Sequence, residues 1–277
     1  MGLIDNLPTS VQALVVVISF AGISITGAWL VRKFVPPEVL RDDHEVAGFT
    51  FGVVGAFYGV VLAFVIVAAW ERFDRADAKA QGEALALSNL YSLSLGFDEP
   101  MRSQVVGAVR GYAEEVADHE WQEMARDSYQ RSFGGESALW HVLLSYEPHN
   151  NREQIVLDKS LDAMGDLSDA RQLRYVYYRE DLPSVVWLVI YVGCAITIGF
   201  SFFFGTHRFR SLAMMCGVFA SLLGLTIMAI SELSTPYSGA VNVSAEPFRF
   251  VQQMIDKDAV GKRASNAGAA AARAAPQ

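Results

Sequence analysis

The sequence predicts an all-α integral membrane protein with four transmembrane helices and a helical soluble insert between spans 2 and 3. Hydrophobic residues make up 52% of its 277 residues and charged residues 19%, below the roughly 25% charged residues of an average soluble domain. Four long apolar stretches contain no Asp, Glu, Lys or Arg. The acidic charge is concentrated in residues 71–181, which hold 21 Asp/Glu against 12 Lys/Arg. This pattern excludes a disordered chain and argues against an ordinary soluble enzyme.

The four apolar stretches cover about 11–31, 46–70, 182–205 and 212–230. A hydrocarbon core of about 30 Å needs about 20 helical residues at 1.5 Å each, and every stretch reaches or approaches that length. The first stretch has neither a basic region before it nor a small-residue cleavage site after it, which favours a span over a signal peptide. We therefore assign 1–70 to transmembrane helices 1 and 2, and 182–231 to transmembrane helices 3 and 4.

Small residues recur on the second and fourth spans, at spacings that place them on one side of each helix. Such residues let two helices approach closely, either within one subunit or between subunits. They are Gly48, Gly52, Gly55, Ala56, Gly59 and Ala63 on the second span, and Gly217, Ala220, Ser221 and Gly224 on the fourth.

Residues 71–181 are predicted to form a soluble helical domain. No proline interrupts the chain between Trp70 and Pro100, so the second span is expected to continue out of the membrane as a helix. Asp98 and Glu99 before Pro100 are typical of a helix start. An apolar seam follows, which is either a core or a partner surface. Its members are Val105, Val109, Tyr112 and Val116.

The C-terminal segment, 232–277, begins with residues that prevent a continuous helix. Pro236, Gly239 and Pro247 lie close together after the fourth span. A short helix is predicted from Glu246 to about Lys257. The remainder is Ala-rich with few large apolar groups, so a flexible tail or a weak helix is expected.

The sequence offers no catalytic site, metal site or cofactor motif. No G-x-S-x-G, Walker loop, G-x-G-x-x-G or H-E-x-x-H is present. His119 and Glu123 share one helix face and could begin a metal site, although a solvated face explains them more simply. The polar loop 42–45 could gather a cation or merely end a helix. Without a basic patch, nucleic acid is not an expected partner.

Charge counting leaves the orientation in the membrane open. With four spans, both termini and 71–181 share one side. Seven Lys/Arg flank the spans on that side and five on the other, but the density of charge in the short loops favours the reverse orientation.

The spans themselves favour a passive pore over a proton-coupled transporter. Such transporters place ionisable groups inside their spans, whereas a pore can be built from backbone, hydroxyl and apolar groups. The aromatic residues Phe57, Tyr58 and Phe64 on the second span fit either packing or a pore constriction.

Three segments resemble the bacterial bestrophin-like membrane family. They are AWERFDRADAKAQGEALALSNL at 69–90, YAEEV at 112–116 with Glu120 and Trp121, and PYSGAVNVS at 236–244. Together with the four spans, the resemblance covers about 10–256. That family is distantly similar to the true bestrophins, which are pentameric anion channels with both termini in the cytosol.

The resemblance implies where a pore would lie. The second span would line it, with Ala56, Val60 and Phe64 at the constriction. The span exit corresponds to Trp70, Glu71, Arg72 and Phe73, and the turn after span 4 to Pro236, Tyr237 and Gly239. The bestrophins' Asp-rich calcium clasp is replaced here by residues 240–244, AVNVS. Calcium gating is therefore not expected.

These observations predict an oligomeric passive ion channel of the bacterial cytoplasmic membrane, not an enzyme. Membrane lipid, ions and a homo-oligomer are the expected partners, and the resemblance implies a pentamer with termini and 71–181 in the cytosol. The same resemblance implies anion conduction, whereas a net charge of −9 on 71–181 would favour cations if that segment lined a vestibule. The alternative is a membrane-anchored interaction or sensory module whose 71–181 bundle binds a partner.

Overall fold

Every regular element of the described chain is helical. The computed structural model of the chain describes residues 8–35, 44–130, 132–203 and 208–274, with backbone only at 44–46 and 262–274. Across these ranges no strand occurs, so the all-α prediction is confirmed. A π-helical turn, Glu115–Glu120, joins α3 to α4. The helices are α1 Thr9–Phe34, α2 His44–Ser94, α3 Met101–Glu114, α4 Trp121–Ala125, α5 Gly134–Leu144, α6 Asn151–Arg179, α7 Ser184–Ser201, α8 Phe209–Ser234 and α9 Glu246–Ala274.

Four helical stretches are long and apolar enough to cross a membrane, which confirms the predicted number of spans. They correspond to α1, the first part of α2, α7 and α8. Pro183 precedes α7, where its fixed φ and missing N–H suit the start of a helix. The fourth span begins at Phe209 and continues to Ser234, beyond the predicted 212–230.

The chain divides into two compact units. The membrane unit comprises 1–74 and 180–242, and the soluble unit comprises 75–179 and 243–277. Helix α2 is shared by both. Residues 243–277 belong to the soluble unit, whereas the sequence predicts them as a separate C-terminal segment. Helix α9 also extends to Ala274, well past the predicted end near Lys257.

The membrane unit is held together by close packing of apolar side chains. Helices α1 and α8 run antiparallel, with Ala28 beside Leu212 and Cys216. Further along the pair, Gly224 admits the ring of Phe20, because a Cβ at 224 would lie 2.7 Å from Phe20 Cγ. The small residues of α8 therefore serve packing within the chain. A second core, between α2, α7 and α8, contains Tyr58, Leu62, Ala69, Ile190, Cys194, Leu223, Ile227 and Ile230.

The soluble unit buries the predicted apolar seam. All four of its members are buried, so the seam is core and not a partner surface. The π-helical turn has more residues per turn than an α-helix, so each of its residues rotates the chain less. Trp121 therefore lies on the core side of the helix, as the seam residues before it do. The indole N–H of Trp121 donates to the carbonyl of Val243 at 2.9 Å and thereby ties α4 to the segment before α9.

Gly224→Ala is expected to destabilise the membrane unit, because the added methyl group collides with Phe20. Overpacking of this kind costs about 1–3 kcal/mol. Thermal unfolding in detergent, followed by circular dichroism, measures the effect. Gly22→Ala on α1 is the control, since a Cβ there meets nothing within 4 Å. Equal midpoints for the two variants would contradict this account of the α1–α8 contact.

Candidate functional site

The predicted constriction residues share one exposed face of α2. Ala56, Val60 and Phe64 follow one another at four-residue spacing, and the side chains of Val60 and Phe64 are 55% and 73% exposed. Phe49, Val53 and Val67 extend the same face along the helix. We call these six residues the α2 stripe. It is a continuous apolar surface that the described residues of the protomer leave exposed.

The opposite face of α2 is fixed in the core of the membrane unit. The hydroxyl of Tyr58 donates to the carbonyl of Ile190 at 2.5 Å. Gly193 makes room for the ring, because a Cβ at 193 would collide with Tyr58 Cε2. The aromatic set is thus divided: Tyr58 is core, whereas Phe57 and Phe64 are exposed.

The two flanks of the α2 stripe differ in bulk. With 3.6 residues per turn, Gly52, Gly59 and Ala63 fall on one flank, and Phe57 falls on the other with Phe64 beside it. A Cβ at Gly52, Gly55 or Gly59 would meet nothing within 4 Å. Unlike the small residues of α8, those of α2 therefore leave open space beside the helix.

The span exit carries charge and aromatic surface together. The indole of Trp70 is exposed, Glu71 is exposed, and Phe73 is half-buried. The guanidinium of Arg72 lies 3.8 Å from the carboxylate of Glu180. This ion pair joins the end of the second span to the residues that precede the third.

The turn after α8 closes around a carboxylate. Glu232 Oε2 accepts hydrogen bonds from the backbone N–H groups of Ala240 at 2.9 Å and Val241 at 3.3 Å. Gly239 has a φ of +86°, a conformation that favours glycine. Pro236 and Tyr237 of the same turn are buried. The predicted turn residues therefore form a compact corner built on Glu232.

The soluble unit contains a buried network of four charged side chains that the sequence did not predict. Arg174 Nε lies 2.6 Å from Glu83 Oε2, and its Nη2 lies 2.7 Å from Glu120 Oε2. Arg171 Nη2 lies 2.5 Å from Glu120 Oε1. The hydroxyl of Tyr112 donates to Glu83 at 2.6 Å. Glu83 and Arg174 are fully buried. The charges of these four side chains cancel, and a fifth charged group, the carboxylate of Glu136, lies 3.6 Å from Arg171 Nε at the edge of the network.

The carboxylate of Glu120 remains ionised because of its neighbours. Burial raises its pKa, but the guanidinium groups of Arg174 and Arg171 more than offset this effect and hold the pKa below its ordinary value of 4.5. Because the folded-state pKa is the lower one, the stability that Glu120 contributes is present above pH 4.5 and is lost as the pH falls below the folded-state pKa.

A signal for this network is present in the sequence. Arg171 and Arg174 lie seven residues after the buried Met164 and Leu167, and so continue the buried face of α6. The comparison of seven flanking Lys/Arg with five, from which the membrane orientation is judged, includes Arg171 and Arg174 as if they were exposed. Since both are buried, the count falls to five Lys/Arg on each side and favours neither orientation.

The candidate metal ligands are not brought together. His119 and Glu123 are exposed, while the neighbouring Glu120 turns into the network. Among the described residues, no group of three or more His, Cys, Asp or Glu side chains could hold a metal ion. Residues 42–45, the other candidate, lie outside the described side chains.

The family of the chain follows from its match to a sequence model. A model of the bestrophin-like domain matches residues 18–248. The chain belongs to the bestrophin-like family. The resemblance stated from the three sequence segments is thereby confirmed. A search of curated proteins finds no match.

Solved structures support the same fold for this bestrophin-like chain. Two crystal structures of a bacterial bestrophin homolog from Klebsiella pneumoniae, each with one mutation, match 87% of this chain and 96% of theirs. Their identities are 13% and 12%, with TM-scores of 0.59 and 0.60. A crystal structure described as a membrane protein matches at 12% identity with a TM-score of 0.56. At such identities the likeness concerns the fold alone.

Arg174→Met is expected to destabilise the soluble unit, because it leaves Glu83 and Glu120 buried with too little positive charge. Removing one partner of a buried ion pair costs about 3–5 kcal/mol. Thermal unfolding of the full chain measures the loss, with the exposed Arg126→Met as the matched control. A loss no larger than that of the control would show that the network does not contribute to stability.

Proposed function

We propose that the chain is an oligomeric passive ion channel whose pore is lined by α2. The observation that carries the proposal is the α2 stripe, which is apolar, continuous and left exposed by the described residues of the protomer. Family membership and the shared fold support the same function. No Asp, Glu, Lys, Arg or His interrupts the span, as suits a pore that uses no proton-coupled step.

The unequal flanks of the stripe favour a closed ring of subunits. In a head-to-tail interface, one surface of each copy contacts a different surface of the next, and the arrangement closes into a ring when the rotation permits. The bulky flank with Phe57 on one copy can then fill the open flank with Gly59 on its neighbour. The stripe between the flanks would face the ring axis. Resemblance to the bestrophins implies five copies.

Phe64, Val60 and Ala56 would form the apolar constriction of this pore. An apolar constriction conducts when it is wide enough to stay wet and blocks ions when it dewets. Phe64 is the largest of the three, so it would set the narrowest point. Ala56 leaves the other end of the constriction wider.

The resemblance and the charge distribution predict different permeant ions. The resemblance implies anion conduction. The buried network contributes no net charge, so the −9 of residues 71–181 belongs to the other positions of that segment. If those positions line a vestibule, they concentrate cations. The reversal potential under a salt gradient distinguishes the two cases.

The channel would lie in the bacterial cytoplasmic membrane, with the termini and 71–181 in the cytosol. Resemblance to the bestrophins supports this orientation, since the balanced flanking charges do not decide it. The apolar spans are suited to lipid contact. The alternative, an interaction module that uses the apolar seam, loses its proposed surface because the seam is buried.

Phe64→Ala is expected to raise single-channel conductance, because it widens the narrowest part of the constriction. Currents of the purified protein in a planar bilayer measure the change. Phe133→Ala is the control, since this aromatic side chain is also exposed but lies in the soluble unit. Unchanged currents in Phe64→Ala would contradict the constriction. An intact oligomer that gave no current under any condition would count against the channel.

Gly59→Leu is expected to disrupt the oligomer and leave the protomer folded. A Cβ at position 59 meets nothing within 4 Å in the protomer, whereas the leucine side chain fills the flank on which the neighbouring copy would pack. Size-exclusion chromatography with light scattering reports the oligomer, and circular dichroism reports the fold. Gly22→Leu on α1 is the control, because its Cβ also meets open space. An intact oligomer in Gly59→Leu would overturn the ring arrangement.

A further inference from the structure

An apolar groove runs along α8 in the membrane unit. Its volume is about 460 Å³, and its lining reaches from α8 to Phe51 on α2. The ring of Phe51 stacks on Phe200 with centroids 6.1 Å apart and meets Phe219 edge-on at 5.3 Å. Phe51 and Phe219 line the groove, and Phe200 stacks on Phe51. All residues that define it belong to the membrane unit.

The length of the groove matches one leaflet of a bilayer. Its lining on α8 extends from Leu212 to Leu222, which is about 15 Å at 1.5 Å per residue. Half of a hydrocarbon core of about 30 Å has the same length. A single acyl chain that enters from one membrane surface would therefore fill the groove along its length.

A cation stands at the end of the groove nearest the membrane surface. Arg210, Met214, Val218 and Leu222 follow one another at four-residue spacing and form one ridge of α8. Met214 and Val218 are each 67% exposed, and the guanidinium of Arg210 is exposed in the first turn of the helix. The ridge thus presents an apolar surface, which matches an acyl chain, next to a positive charge, which matches a headgroup phosphate.

We propose that this groove binds one acyl chain of an anionic phospholipid, with the headgroup phosphate at Arg210. A lipid suits the site better than a second copy of the chain. The exposed guanidinium of Arg210, one helical turn before the apolar ridge begins at Met214, complements an anionic headgroup above an acyl chain. The flexible Met214 and Met215 on the wall can adapt to a mobile chain. The inference does not depend on channel activity.

Native mass spectrometry of the full-length protein tests the site. The probes are dioleoyl phosphatidylglycerol, which is anionic, and dioleoyl phosphatidylcholine, which is zwitterionic with the same chains. Wild type should bind the anionic lipid more tightly. Arg210→Gln should lose about fivefold of that preference, as expected for one basic residue near a membrane surface. Lys33→Gln is the control, because it removes a charge from the end of α1, which does not line the groove.

Val218→Trp tests the acyl chain separately. Because Val218 is exposed, the larger ring is accommodated in the groove and not in the core, and it should weaken binding of both lipids. Val189→Trp, on α7 outside the groove, is the matched control. Circular dichroism confirms that each variant is folded.

Three results would overturn the proposal. One is equal binding of the two lipids by wild type. Another is an Arg210→Gln variant that behaves like Lys33→Gln. The third is a Val218→Trp variant that keeps its lipid binding but changes its oligomeric state, since this would assign the groove to a second copy.

Discussion

The rotation of α2 about its own axis determines which surface the chain exposes. In the membrane unit, the hydrogen bond from Tyr58 to Ile190 and the space at Gly193 fix the helix. In the soluble unit, Glu83 fixes it through Arg174. Each of these two anchors holds α2 within its own unit. The α2 stripe is exposed because the opposite face of the span is buried in the core of the membrane unit.

The two anchors differ in chemistry because their surroundings differ. In the membrane unit the hydroxyl of Tyr58 donates to a backbone carbonyl, and the remaining contacts of this face are apolar packing. In the soluble unit, four charges are removed from water, which is costly unless every charge is paired. The pairing draws on three separate parts of the chain, which are α2, the π-helical turn after α3, and α6. Such a network stabilises one arrangement of those helices, because any other leaves a buried charge without a partner.

The sequence predicts the elements better than it predicts the contacts between them. Composition and apolar length are local properties, and they predict the all-α class, the four spans and the turn at Gly239. Burial of Arg174 is not local, because it depends on Glu83 and Glu120, which are 91 and 54 residues away. The small residues of α2 and α8 look alike in sequence. Only the structure shows that a Cβ at Gly224 would collide with Phe20, whereas a Cβ at Gly59 would meet nothing within 4 Å.

The corner after α8 has a consequence for how the chain responds to its surroundings. Backbone N–H groups that converge on one point form an anion-binding nest, and here Glu232 occupies it from within the same chain. Because the carboxylate of Glu232 supplies the negative charge, the corner forms without an anion from solution. Its geometry is therefore set by hydrogen bonds within the chain.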